Sequence, residues 1–163
     1  MLTIDQSLRT LTAADLMKHP VVTIPQDMSL RGAAQLLQKE QISGAPVVDP
    51  EGNCVGVLST TDLLKWAEDA GTTQTVHCPS CPEVCSEWQV IDLAILPRDE
   101  VRYHMSIDVV SCSMNEPVTS LARKMLDAHI HRIFVLDSYR RPVGIVSSTD
   151  ILAAVARMDS PTE

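Results

Sequence analysis

The sequence predicts an α/β (α+β) fold made of two pseudo-symmetric β-α-β-β-α repeats packed into one module, and three observations carry that prediction. Sliding the chain along itself by about 88 residues lays Val22 on Val110 and holds register without a gap. Within each copy, short β-branched runs alternate with apolar stripes at helical spacing. The composition, 163 residues with 45% hydrophobic and 21% charged positions, is that of a folded protein and excludes disordered, collagenous and low-complexity classes. A chain of this length can bury a sufficient core without disulfides or a structural metal.

The copies correspond residue by residue. Met17 falls on Met105, Val21 on Val109, Ala34 on Ala122, Ile42 on Ile130, Val47 on Val135, and Asp49 on Asp137. The ends match best, with GVLSTTDLL at 56–64 lying on GIVSSTDIL at 144–152. In each copy the first strand is a β-branched run, 21–24 ended by Pro25 and 109–112 ended by a polar stretch. A helix follows, with stripes Leu30, Ala33, Ala34, Leu37 and Val118, Leu121, Ala122, Met125 at i, i+3, i+4, i+7. Asp27 or Ser29 is expected to cap the first such helix and Asn115 the second. Buried strands are expected at 46–48 and 134–136, then polar turns at 49–53 and 137–141, then strands at 55–58 and 143–146. A second helix closes each unit, from about Asp62 and from Asp150 to Met158. The repeats are placed at 12–70 and 100–158, with an insertion at 71–99. Each copy is about 55 residues, close to the smallest size that folds alone, so the two are expected to pack together and share a core.

Charge narrows the partners. Thirteen Lys+Arg against twenty-one Asp+Glu give a formal charge of −8, which repels nucleic acid and anionic membranes. No apolar run approaches the ~18 residues of a membrane span. The first ten residues carry Asp5 and no apolar leader core, so the chain is expected to be mature as it stands and cytoplasmic. Five cysteines, an odd number, fit a reducing compartment better than a disulfide framework.

The chemistry-bearing residues sit where the last strand of each repeat hands over to a helix: Ser59-Thr60-Thr61-Asp62 and Ser147-Ser148-Thr149-Asp150. Hydroxyls, free backbone N–H groups and the positive end of a helix dipole converge there, which suits an anion. Asp62 and Asp150 would repel phosphate but accept hydrogen bonds from a diol such as ribose. The same residues also serve as ordinary helix caps, and the two readings are compatible.

Two copies of this unit, each ending in Gly-apolar-apolar-Ser-x-Thr-Asp, resemble a tandem pair of cystathionine-beta-synthase (CBS) domains, the regulatory Bateman module. The resemblance covers about residues 12–157 apart from most of the insertion. His131-Arg132 before an apolar strand and GIVSSTDIL is similar to the nucleotide-binding repeats of the gamma subunit of AMP-activated protein kinase. The resemblance implies two clefts between the repeats. One would join Val22, Ile42, Ser43, Gly44 and Ala45 to Ser147, Thr149 and Asp150; the other would join Val110, Ile130, His131, Arg132 and Ile133 to Ser59, Thr61 and Asp62. Gly44 and Ala45 leave room for a flat base, whereas Arg132 brings a fixed charge suited to phosphate, or else pairs with a surface carboxylate. The expectation is thus one basic and one neutral cleft. No triad or acid pair is apparent to make His131 a catalytic base.

The insertion carries His77, Cys78, Cys81 and Cys85. Thiolates and an imidazole at this spacing can hold zinc or an iron–sulfur centre; a reversible thiol switch and an inert loop are the alternatives. Cys54 and Cys112 fall in strand patterns and are expected in the core, and Trp88 with its aliphatic neighbours is expected to pack the insertion down. The functional expectation is a stand-alone, non-enzymatic regulator with no fused catalytic domain, sensing an adenosine nucleotide or S-adenosylmethionine, requiring no cofactor, forming a homodimer and modulating an unidentified target protein. The alternatives are a ligand-free dimerisation module using Leu63, Leu64, Ile151 and Leu152, and a redox or metal-responsive regulator using the insertion cysteines.

Overall fold

The stripe Leu30, Ala33, Ala34, Leu37 buries one face of a ten-residue helix, and the architecture is built outward from that stripe and its counterpart. The structure is a computed structural model that describes residues 10–71, 74–76, 88–90 and 96–158. A single helical turn, α1 (Ala13–Leu16), leads into β1 (Ile24–Pro25), α2 (Leu30–Lys39), β2 (Gly44–Val48), β3 (Cys54–Ser59) and α3 (Thr60–Asp69). After β4 (Gln74–Val76), β5 (Trp88–Val90) and a 3-10 turn at Val101–Tyr103, the pattern returns. It comprises β6 (Ser111–Cys112), α4 (Val118–Asp127), β7 (Arg132–Leu136), β8 (Pro142–Ser147) and α5 (Ser148–Met158). One three-stranded sheet has the order β1-β2-β3 and another β6-β7-β8. In the latter, β6 runs parallel to β7 and β7 antiparallel to β8, so the β-α-β-β-α order is present twice.

Local differences from the sequence reading have physical causes. Strand β1 begins only at Ile24 and includes Pro25 instead of ending before it, and β6 is likewise two residues long. Ser29 caps α2, its hydroxyl accepting the Gly32 N–H at 3.1 Å. Asn115 does not cap α4: Pro117 holds that position at φ −62°, with no side-chain bond to the helix. Glu116 fastens this end by accepting from Ser120 Oγ at 2.6 Å and pairing with Lys124 at 2.8 Å. Strands β4 and β5 form an antiparallel ribbon, Val76 opposite Trp88, where the sequence pattern was too short to mark strands.

The described residues fall into two compact units, one within 24–47 and 55–107, the other within 10–23, 48–54 and 108–158. Each has its own buried cluster, and each cluster draws on both repeats, with Val101 of the second repeat in one and Ala13 of the first in the other. Ile24, Leu37, Val47, Leu58, Leu96 and Val101 belong to the first; Ala13, Leu121, Ile133, Val135 and Val146 belong to the second. Cys54 and Cys112 are buried free thiols, as their strand positions implied, and burial pushes the Cys112 thiol up to about 11.

These units cut across the sequence repeats. The opening segment of each repeat folds onto the other repeat's sheet. Lys18 bridges to Ile145 of β8, and Ser106 bridges to Val57 of β3. Both crossings require glycine. A Cβ on Gly144 would lie 2.5 Å from Met17 Sδ and 2.9 Å from its Cβ; one on Gly56 would lie 2.5 Å from Met105 Sδ and 2.9 Å from the Ser106 carbonyl oxygen. Removing the side chain lets each methionine lie flat on the strand.

Candidate functional site

Each Ser-x-x-Asp corner is a strand end turning into a helix. In the first unit, Ser59 is the N-cap of α3 and accepts the Asp62 N–H at 3.3 Å, while Asp62 Oδ2 accepts the Ser59 N–H at 2.8 Å and its hydroxyl at 2.6 Å. The second unit repeats this: Ser147 accepts the Asp150 N–H at 3.2 Å, and Asp150 Oδ2 accepts the Ser147 N–H at 2.8 Å and its hydroxyl at 2.5 Å. These are reciprocal caps that satisfy otherwise orphaned helix donors. The capping reading of the sequence is therefore realised at both places. It uses one carboxylate oxygen of each aspartate and leaves Oδ1 facing elsewhere.

The two Oδ1 atoms meet different partners. Asp62 Oδ1 accepts from the Ser106 hydroxyl at 2.9 Å. Asp150 Oδ1 is paired with Lys18 Nζ at 2.7 Å. Burial penalises the Asp150 carboxylate, but hydrogen bonds from Lys18 and Ser147 outweigh that and hold it below the ordinary carboxylate range. Lys18 is anchored by its backbone, whose N–H donates to the Ile145 carbonyl at 2.9 Å and whose carbonyl accepts from the Ile145 N–H at 3.1 Å. Ser106 is anchored to Val57 in the same way, at 2.9 Å in both directions.

The remaining candidates gather beside these corners. In the first unit the Thr60 N–H donates to the Ser43 carbonyl at 2.9 Å, bringing the Ile42–Ala45 turn against Ser59 and Thr61. Gly44 packs so closely that a Cβ there would lie 3.2 Å from the Leu58 carbonyl oxygen, while Ala45 is buried. In the second unit the Ser148 N–H donates to the His131 carbonyl at 2.9 Å, and Arg132 stands opposite Ser147 in the β7–β8 register. His131 and Arg132 are exposed, Ile133 is buried and Ile130 half-buried. Thr61 and Thr149 are exposed; Val22 and Val110 are half-buried. Within each unit, then, the structure brings a candidate base-cradling turn to a hydroxyl-carboxylate corner. The groupings expected from the sequence draw on both units, Val22 with Ser147, Thr149 and Asp150 in one, and Ile42 to Ala45 in the other.

Sequence reasoning missed Lys18 and Ser106. The 88-residue register that lays Met17 on Met105 also lays Lys18 on Ser106, so their non-equivalence was visible; that each reaches the opposite repeat's aspartate was not. His77, Cys78, Cys81 and Cys85 lie outside the described residues. Among the described residues no group of histidine, cysteine and carboxylate side chains is arranged to hold a metal ion. Nor is any described helix long and apolar enough to cross a membrane.

A second feature adjoins the Ser147–Asp150 corner and includes Ser148. Between α4 and α5 lies a groove of about 410 Å³ whose lining includes Met125, Leu126, His131, Ser148, Ile151 and Leu152. Leu126 is 74% and Leu152 67% exposed, whereas Leu63 is buried and Ile151 packs partly against the core.

Comparison with known proteins gives a consistent picture. The CBS domain family model matches residues 13–69 and 99–157. The L-aspartate semialdehyde sulfurtransferase of Methanocaldococcus jannaschii is 29% identical over 138 residues, 84% of this chain but 22% of the enzyme, so this chain spans about a fifth of that relative. Protein MJ1426 of the same organism is 27% identical over 150 residues, 86% of this chain and 89% of its own length. Among solved structures, the CBS domain pair of protein MJ0100 in complex with 5'-methylthioadenosine and S-adenosyl-L-methionine superposes with a TM-score of 0.68. It is 26% identical, and the match covers 92% of this chain and 99% of that one.

Proposed function

The chain belongs to the CBS-domain family, and from that premise we propose that it is a regulatory protein that senses an adenosyl ligand. The ligand would bind in clefts between the repeats, with the Ser59/Thr61/Asp62 and Ser147/Thr149/Asp150 corners holding ribose and the turns at 42–45 and 130–133 receiving the base. The observation that carries this reading is the pair of capped corners. Each turns its second carboxylate oxygen beyond the cap, toward Ser106 or Lys18, beside a turn hydrogen-bonded to the start of the helix. The similarity to a CBS pair bound to 5'-methylthioadenosine and S-adenosyl-L-methionine supports the adenosyl class. Binding would act by favouring one arrangement of the repeats over another, and through it a partner protein, because a ligand shifts an equilibrium only by its differential affinity. The protein would act in the cytoplasm as a regulator without catalysis of its own.

Thermal melting and calorimetry of the full chain with AMP, ADP, ATP, 5'-methylthioadenosine and S-adenosylmethionine test this. At least one ligand should give a saturable rise, equivalent to about 2.7 kcal/mol at a hundredfold excess over Kd. Asp150→Ala or Asp62→Ala should remove the heat of the corresponding cleft. Flat titrations across the panel would end the reading.

A second reading concerns assembly. The exposed Leu126 and Leu152 beside the α4/α5 groove favour a homodimer formed through helix faces, since large apolar side chains clustered at a groove mark interaction surfaces.

A further inference from the structure

We propose that Lys18 is a specificity-determining residue that makes the Asp150 corner select ligands bearing an anionic group, in contrast to the Asp62 corner. This rests on the adenosyl reading above and adds the chemical class that one corner prefers. The expectation of a neutral cleft rested on Val22, Ile42, Ser43, Gly44 and Ala45 beside Ser147, Thr149 and Asp150, none of which is a cation. Folding adds an ammonium: Lys18 Nζ lies 2.7 Å from Asp150 Oδ1. At the equivalent place in the other unit, a neutral hydroxyl, Ser106 Oγ, lies 2.9 Å from Asp62 Oδ1. Backbone anchoring is the same at both, through paired N–H···O=C bonds to Ile145 and Val57, so the difference is confined to the side chain.

The chemistry follows from what a ribose must displace. A diol approaching Asp62 competes with a hydroxyl, which can rotate and accept a hydrogen bond in return. A diol approaching Asp150 competes with an ammonium that has three donors and no acceptor. Lys18 is 73% exposed on a flexible four-carbon stem, so its head can swing away from the carboxylate. Swinging away without a new anion forfeits a charge-assisted bond. A phosphate carried by the incoming ligand supplies that anion, so the ammonium can exchange Asp150 for phosphate. An uncharged thioether or a sulfonium at the same position cannot. Phosphorylated adenosyl ligands should therefore be favoured at Asp150, whereas at the Ser106–Asp62 corner the partner of Oδ1 is a neutral hydroxyl.

The matched probes are AMP and adenosine, which differ only by the phosphate, titrated calorimetrically into the full chain and its variants. In an Asp62→Ala background that leaves the Asp150 corner to report, Lys18→Met should weaken AMP about tenfold while leaving adenosine unchanged or tighter. Lys18→Arg should keep most of the AMP preference, and added salt should reduce it in the Lys18 and Arg forms but not in the Met form. Because the Lys18 side chain is mostly exposed, Lys18→Met should keep the parent's circular dichroism and a cooperative melt close to the parent's, which excludes a folding defect. An AMP-to-adenosine ratio that is the same in Lys18→Met and the parent would overturn the proposal while leaving the adenosyl reading standing. Failure of the unmodified chain to bind any adenosyl probe would overturn both.

Discussion

The two strand-to-helix corners share one scaffold, a serine N-cap, a reciprocal aspartate bond and a lead-in segment borrowed from across the sequence, yet one aspartate faces a serine and the other a lysine. The conserved geometry of the pair shows which parts the fold needs: the cap, the glycine under the methionine, the backbone bridge. The part that differs is not needed for folding, because the same backbone forms with either residue. Duplication followed by divergence at a position that touches the candidate carboxylate is a direct way to obtain two non-identical corners from one unit.

Breaking the scaffold should have the largest effect. Leu58 and Val146 are equivalent, fully buried positions, one in each cluster. Leu58→Ala should cost about 2–5 kcal/mol, and Val146→Ala less because fewer buried methyl groups are removed. Chemical denaturation reads both; equal losses would argue against the packing described here. Next come the crossings. Gly56→Ala and Gly144→Ala should each destabilise by about 1–3 kcal/mol by forcing Met105 and Met17 off their strands. Pairing Gly144→Ala with Met17→Ala should recover part of that loss, a non-additivity that a double-mutant cycle measures.

Subtler still is the acid response of the corner that carries Lys18. The Asp150 carboxylate is held below its ordinary range in the folded protein, so its contribution is present above the unfolded-state value near 3.8 and is lost as pH falls through the lower folded value. Removing Lys18 weakens that depression. The melting-temperature difference between the parent and Lys18→Met should therefore be small but measurable at neutral pH, should start to shrink as pH falls through about 4, and should vanish only once pH has passed below the lowered folded value. A difference that grew with acidity would contradict the ion pair. The smallest stability effect belongs to the helix face: Leu126→Asp with Leu152→Asp should leave the melt within about 0.5 kcal/mol. On the dimer reading, it should convert the species seen in sedimentation to monomer.

Much of this was legible in the chain. The stripe Leu30, Ala33, Ala34, Leu37 is the buried face of α2 because a 3.6-residue period admits no other placement of an apolar face on that helix. Ser59 and Ser147 could be located at strand ends because apolar strands of fixed length precede them. The cap at Asn115 was misplaced because Pro117, with its fixed φ, takes the N-cap position two residues later. The ribbon of Gln74–Val76 with Trp88–Val90 was not visible because three residues are too few to display a period of two.

What the sequence determined by itself is therefore everything local or repetitive: the doubling, the order of elements, the helix faces, the capped corners and the CBS family. Only tertiary structure decided that residues 12–18 and 100–107 change sides, setting Lys18 on Asp150 and Ser106 on Asp62. The reason is one of range. Periodicity and caps are fixed by neighbours within a few residues, whereas Lys18 and Asp150 are brought together by a strand bridge between distant parts of the chain, and no local rule encodes which sheet a short extended arm will join.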